Sequence, residues 1–137
     1  MSEIRETAVA FETKVDLPFD KAVARCREEL AREGFGVLSE IDLQAKLEEK
    51  LGAKTPPLLI LGACHPPSAL KAVSAVPEVS VFLPCNVTVS VEKQGTVVRA
   101  MNPAGAMQML DNPVLAEVAE DVGSRLRRAL ERVLRTD

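Results

Sequence analysis

Two of the three cysteines and the only histidine fall between Leu58 and Asn86, together with four prolines. Cys64 and His65 are adjacent, Cys85 follows twenty-one residues on, and Met101 lies beyond it. Thiolate, imidazole and thioether are soft or borderline donors, so Cys64, His65, Cys85 and Met101 are candidate ligands for zinc or copper, the latter as Cu(I). No Cys-x-x-Cys pair is present, and the spacing matches no zinc motif. A second chemistry needs only the thiols. Cys64 directly precedes a helix start, where the helix N-terminus lowers a thiol pKa. Cys64 would then be a nucleophile in a thiol enzyme or redox protein, with Cys85 its resolving partner. His65 is a poor base for that sulfur, because adjacent side chains on an extended backbone point apart. In a third reading both cysteines are structural, as in an interaction protein, since free cysteine is commonly buried.

Composition narrows the function classes. The chain of 137 residues fits one domain, residues 1–137. It has no Trp, no Tyr and four Phe. The core must therefore be aliphatic, and aromatic platforms for single-stranded nucleic acid are lacking. A net charge of −3 gives no footprint for a phosphate backbone, so no nucleic-acid partner is expected. The N-terminus, Met-Ser-Glu-Ile-Arg-Glu, lacks the apolar stretch of a signal peptide. The longest apolar run, Leu58 to Cys64, is far short of the roughly 20 residues that span a bilayer. The expectation is a cytoplasmic protein with no membrane partner and reduced thiols.

The elements that would position these residues can be read in order. Thr7 to Val15 reads as a strand. Asp16-Leu17-Pro18 starts a helix whose apolar face is Phe19, Val23, Cys26 and Leu30, with Gly34 as its stop. Cys26 on that face is a core residue. Gly36 to Ile41 reads as a strand with Val37 and Ile41 on one face. Asp42 caps a helix carrying Leu43, Leu47 and Leu51, ended by Gly52. Leu58 to Ala63 is a continuous apolar strand, expected to be covered on both faces. Pro66-Pro67 opens a short helix with Leu70 and Val73 inward. From Val79 to Val91 the odd positions are apolar, the period of an antiparallel strand, interrupted at Pro84. Lys93-Gln94-Gly95 turns the chain into a returning strand that ends at Asn102-Pro103. Asn112-Pro113 begins a long final helix. Its late arginines complement the helix dipole and read as a solvated face. The pattern is α+β, an antiparallel or mixed sheet packed against helices.

Three segments carry a family likeness: Gly34-Phe35-Gly36-Val37-Leu38-Ser39-Glu40-Ile41-Asp42, Leu61-Gly62-Ala63-Cys64-His65-Pro66-Pro67 and Leu83-Pro84-Cys85-Asn86-Val87. Met101-Asn102-Pro103 fits as well. The chain resembles the domain of unknown function 302 family. That resemblance implies a TATA-binding-protein-like α+β fold and a homodimer, and implies no established activity. The family pattern places Asn where this chain has His65, which leaves Cys64, Cys85 and Asn86 as the stronger site residues. The expected site binds a metal ion or small ligand through Cys64, Pro66, Cys85 and Asn86. The thiols bind, Asn86 orients, and the prolines stiffen the loops.

Overall fold

Period-two patterning and turn chemistry together build a single sheet. The computed structural model describes residues 3–135; Met1 and Ser2, at the head of the charged N-terminus, lie outside them. Six strands form the sheet: β1 (Arg5–Glu6), β2 (Ala10–Val15), β3 (Gly36–Asp42), β4 (Leu58–Cys64), β5 (Cys85–Glu92) and β6 (Gly95–Met101). Their spatial order is β1-β2-β6-β5-β4-β3, and each neighbouring pair is antiparallel. The helices are α1 (Phe19–Arg32), α2 (Leu43–Leu51), α3 (Pro66–Ala75), α4 (Pro103–Met107) and α5 (Pro113–Leu134), with 3₁₀ turns at Pro77–Phe82 and Gln108–Leu110. The architecture is α+β.

The register sets one face of the sheet against the helices. Leu59, Leu61 and Ala63 of β4, Val87 and Val89 of β5, Val98 and Ala100 of β6, and Phe11 and Val15 of β2 are buried in one core. Leu30 of α1 and Leu115, Leu126 and Leu130 of α5 fill it from above. Several caps form as the residue types dictate. The Asp42 carboxylate accepts from Ala45 N, and Asn112 Oδ1 accepts from Val114 N and Leu115 N. Gly34 ends α1 at φ 87°, a conformation that favours glycine.

Five expectations are corrected. The strand expected from Thr7 begins at Ala10 as β2, because the Thr7 hydroxyl accepts from Val9 N and Ala10 N and holds a turn there, and a short β1 precedes it at Arg5–Glu6. A bulge between Val37 and Ser39 puts Val37 opposite Ala63 on the core face and Ile41 on the other face. The β4 run is covered on one face only, and Leu58 and Ile60 are half-buried on the other. Leu70 and Val73 of α3 point outward, while Ser68 and Ala72 are buried. Val79 to Phe82 coil into a 3₁₀ turn, so the strand starts only at Cys85, after a cis Leu83–Pro84 peptide.

The arginines of α5 are also not a merely solvated face. They clamp α5 onto α1. Glu29 of α1 is fully buried and meets Arg132 Nε at 2.6 Å and Arg25 Nη2 at 3.0 Å. Arg132 and Arg128 both reach the Glu33 carboxylate, at 2.6 and 3.0 Å. Burial opposes ionisation of Glu33, yet hydrogen bonds from Arg128 and Arg132 hold its pKa below the usual carboxylate value. Removing one member of such a set leaves uncompensated buried charge. Arg132→Ala, which takes a cation from the buried Glu29 carboxylate, should therefore lower unfolding stability by about 3 kcal/mol, with an unchanged denaturant slope in urea titrations followed by circular dichroism.

Candidate functional site

The site forms where β4 hands over to α3. Cys64 is the last residue of β4, His65 caps α3, and Pro66 and Pro67 occupy its first turn. Cys85 opens β5 directly across from Ala63. Close approach of the neighbouring chain is permitted by Gly62. A Cβ there would fall 2.8 Å from Pro84 Cγ and would strike Ser39 Oγ. Gly62 thus lets Pro84 lie across the end of β4, next to Cys64.

Cys64, His65 and Cys85 line one cavity, closed by Ala69 and Ala72 of α3 and Val122 of α5. Its volume is about 330 Å³ counting the mouth open to solvent. Only about 20 Å³ is free to the centre of a water-sized sphere, room for roughly one water molecule in the closed part. The lining is mainly aliphatic, and its polar or polarisable residues are Cys64, His65, Ser68 and Cys85.

The imidazole is held on three sides. His65 Nδ1 lies 2.6 Å from Ser68 Oγ, and the Ser68 hydroxyl donates to Asp121 Oδ2 at 3.5 Å. Asp121 is in turn paired with Arg125 Nε at 3.2 Å, and Arg125 Nη1 donates to the Glu33 carbonyl at 3.1 Å. Phe35 meets the ring edge-on with centroids 5.7 Å apart. Burial, and then the Arg125 guanidinium, push the His65 pKa below its usual value against the opposing pull of Asp121. Both effects favour the neutral ring.

The two thiols differ. Cys85 is 5% exposed, and burial, reinforced by the charge of Cys64, pushes its pKa up to about 11. Cys64 is half-buried at the strand end. Cys26 lies in the α1 core as expected, its pKa pushed up to about 12 by burial. All three are free thiols.

Three of the sequence-derived site residues thus converge, and three do not. Pro66 is exposed at the start of α3. Asn86 is exposed opposite Gly62, on the sheet face away from the helices. Met101 pairs with Ala10 on β2 and does not line the cavity. Among the described residues, no three His, Cys, Asp or Glu side chains come together as a metal-ion site. Ser68 and Asp121 are not legible from sequence as partners of His65. The only local signal is Ser68, three residues past His65 at a helix start; Asp121 arrives from another helix.

An α+β domain with helices on one sheet face and a cysteine-lined cavity at the end of its central strands is the class that this fold and site define. The chain belongs to the family described as domain of unknown function DUF302, whose model matches residues 11–133. Its structure is similar to a crystal structure of an uncharacterized conserved DUF302 protein from Bacillus stearothermophilus. The two have a TM-score of 0.85 and 32% identity, over 90% of this chain and 96% of that one. No curated protein matches the chain. No helix among the described residues is long and apolar enough to cross a membrane.

The burial difference orders the thiols by reactivity. Iodoacetamide at pH 8, followed by peptide mass spectrometry, should modify Cys64 first. Cys85 should follow much more slowly, and Cys26 only on unfolding. Equal rates for Cys64 and Cys85 would show that the cavity stands open.

Proposed function

We propose that this protein is a cytoplasmic, dimeric binding domain whose cavity takes a small, largely apolar ligand in contact with Cys64 and Cys85. The observation that carries this reading is the meeting of both thiols and His65 at one aliphatic cavity. Its closed part has room for about one water molecule, so the ligand enters at the open mouth and displaces the side chains that close it. The ligand is small and uncharged, because no charged side chain lines the cavity wall and an unpaired ion is costly to bury there. This reading is favoured over a zinc site, because among the described residues no three His, Cys, Asp or Glu side chains are placed to hold one ion. A test is a set of uncharged fragments of about eight heavy atoms or fewer, a size suited to such a site, titrated into 15N-labelled protein. Shifts should cluster on Cys64, Ser68, Cys85 and Val122 and vanish in the cavity-filling variant Ala69→Leu. Equal binding by that variant would overturn the reading.

A redox reading is favoured by one observation, that Cys64 and Cys85 line the same cavity as free thiols. In it Cys64 attacks an oxidised substrate and Cys85 resolves the mixed disulfide. Reversible formation of a Cys64–Cys85 disulfide in a glutathione buffer series would support it. Three free thiols throughout that series would remove it.

The dimer is supported by β3. It is an edge strand of seven residues whose only sheet neighbour among the described residues is β4, with Leu38 and Ile41 exposed. Unpaired edges of this kind join to other strands. Antiparallel self-pairing that sets Ser39 against Glu40 of a second copy brings Leu38 opposite Ile41. Light scattering should give twice the 14.8 kDa chain mass, and Leu38→Lys should give the monomer. A wild-type monomer would contradict this.

A further inference from the structure

We propose that Ser68 and Asp121 are positioning residues that hold His65 with its proton on Nδ1, leaving a bare Nε2 to accept a hydrogen bond from the bound ligand. This deepens the ligand-binding reading and rests on it for the identity of the donor. The tautomer itself rests on proton counting. A serine hydroxyl has one proton and two acceptor lone pairs. Ser68 Oγ has two close polar side-chain neighbours, His65 Nδ1 at 2.6 Å and Asp121 Oδ2 at 3.5 Å. The carboxylate only accepts, so the serine proton belongs to Asp121 in the one arrangement that satisfies both contacts. His65 Nδ1 must then be the donor to Ser68 Oγ. A neutral imidazole carries one N–H, so Nε2 is unprotonated.

The alternative puts the serine proton on Nδ1. Ser68 Oγ would then turn a lone pair towards the Asp121 carboxylate, at a site where Ser68 is only 7% exposed. The groups around the chain favour the first arrangement. Arg125 pairs with Asp121, whose carboxylate oxygens are acceptors. Phe35 presents a ring edge to the imidazole and offers no competing hydrogen-bond acceptor. Cys64 is the adjacent thiol, at the end of β4.

Gly34 gives the imidazole its room, and His65 lines the cavity. A Cβ at this position would lie 3.3 Å from Nε2 and 3.1 Å from Cδ2, and Gly34 is itself exposed. The side of the ring that carries Nε2 therefore faces a residue without a side chain. The ligand class that fits is a small uncharged molecule with one N–H or O–H donor and an otherwise apolar body.

His65 is the only histidine, so long-range 1H–15N NMR reports its tautomer without assignment ambiguity. Wild-type protein at pH 7.5 should show protonated Nδ1 and bare Nε2. Ser68→Ala should shift the population towards protonated Nε2, and Ser68→Thr, which keeps the hydroxyl, should restore the wild-type pattern. Protonated Nε2 in the wild type, or an unchanged spectrum in Ser68→Ala, would overturn the assignment. Pyrazole and 1-methylpyrazole then probe the acceptor role. Pyrazole should bind wild type about tenfold tighter, as one hydrogen bond allows, and lose that margin in Ser68→Ala. Equal affinities in the wild type would overturn the acceptor role. Failure of both probes to bind would count against the cavity reading instead, because the tautomer measurement needs no ligand.

Discussion

A buried carboxylate, Glu29, fixes the relation of α1 to α5, and the site inherits that relation. Glu29 cannot be left in the core without its cations, so Arg25 and Arg132 must stay on it. Arg132 also reaches Glu33, and Glu33 is at the end of α1 where the chain turns through Gly34 to Phe35. Phe35 is the edge-on neighbour of His65. On the other helix, Arg125 holds Asp121, which holds Ser68. Two branches of one polar network therefore converge on a single imidazole. The net stabilisation from such a network is modest, because desolvation offsets much of the attraction. Its contribution is register: α5 cannot slide along α1 without separating several pairs at once.

The sheet supplies the second constraint. Alternation sends Cys85 to the core face with Ala63 beside it, which explains its burial and its raised pKa. Cys64 comes one residue later, where β4 ends and the backbone turns into α3. The strand end frees it from strict alternation, so both thiols border the same space. Gly62 and Pro84 make this junction tight. The Gly-Ala-Cys segment at 62–64 and the Pro-Cys-Asn segment at 84–86, both part of the family likeness, meet at this junction. His65, the chain's departure from the family pattern, is accommodated there by Gly34 and by Ser68.

Much of the fold is legible in the sequence because its signals are local. Gly34, Gly52, Asp42 and Asn112 mark helix ends through their own backbone preferences, and each does so in the structure. The period-two run from Val87 to Val91 reports β5 directly. What is not legible depends on partners distant in sequence. The bulge at Val37–Ser39 reverses which residues face the core, and no periodicity reports it. The odd-position pattern at Val79 and Val81 reads as strand, but Pro77 and Pro84 bracket it into a 3₁₀ turn. The helix dipole alone accounts for the α5 arginines in the sequence, because Glu29 and Glu33 are about a hundred residues away. Cys64, His65 and Cys85 stand out because their side chains are chemically conspicuous. Ser68 and Asp121 are ordinary residue types, and only the tertiary structure makes them part of the site. Asn86 belongs to the motif, yet alternation from Cys85 carries it to the opposite face.

The bordering of one aliphatic cavity by Cys64 and Cys85 is the feature on which the functional reading turns. Its most direct test is a crystal structure of protein treated with methyl methanethiolsulfonate, a small uncharged reagent that adds a methylthio group to each accessible thiol. Methylthio density is expected on both cysteines, within the cavity between α3 and the ends of β4 and β5. A Cys64 adduct pointing to solvent on the open sheet face, with Cys85 unmodified and the cavity unchanged, would contradict the reading.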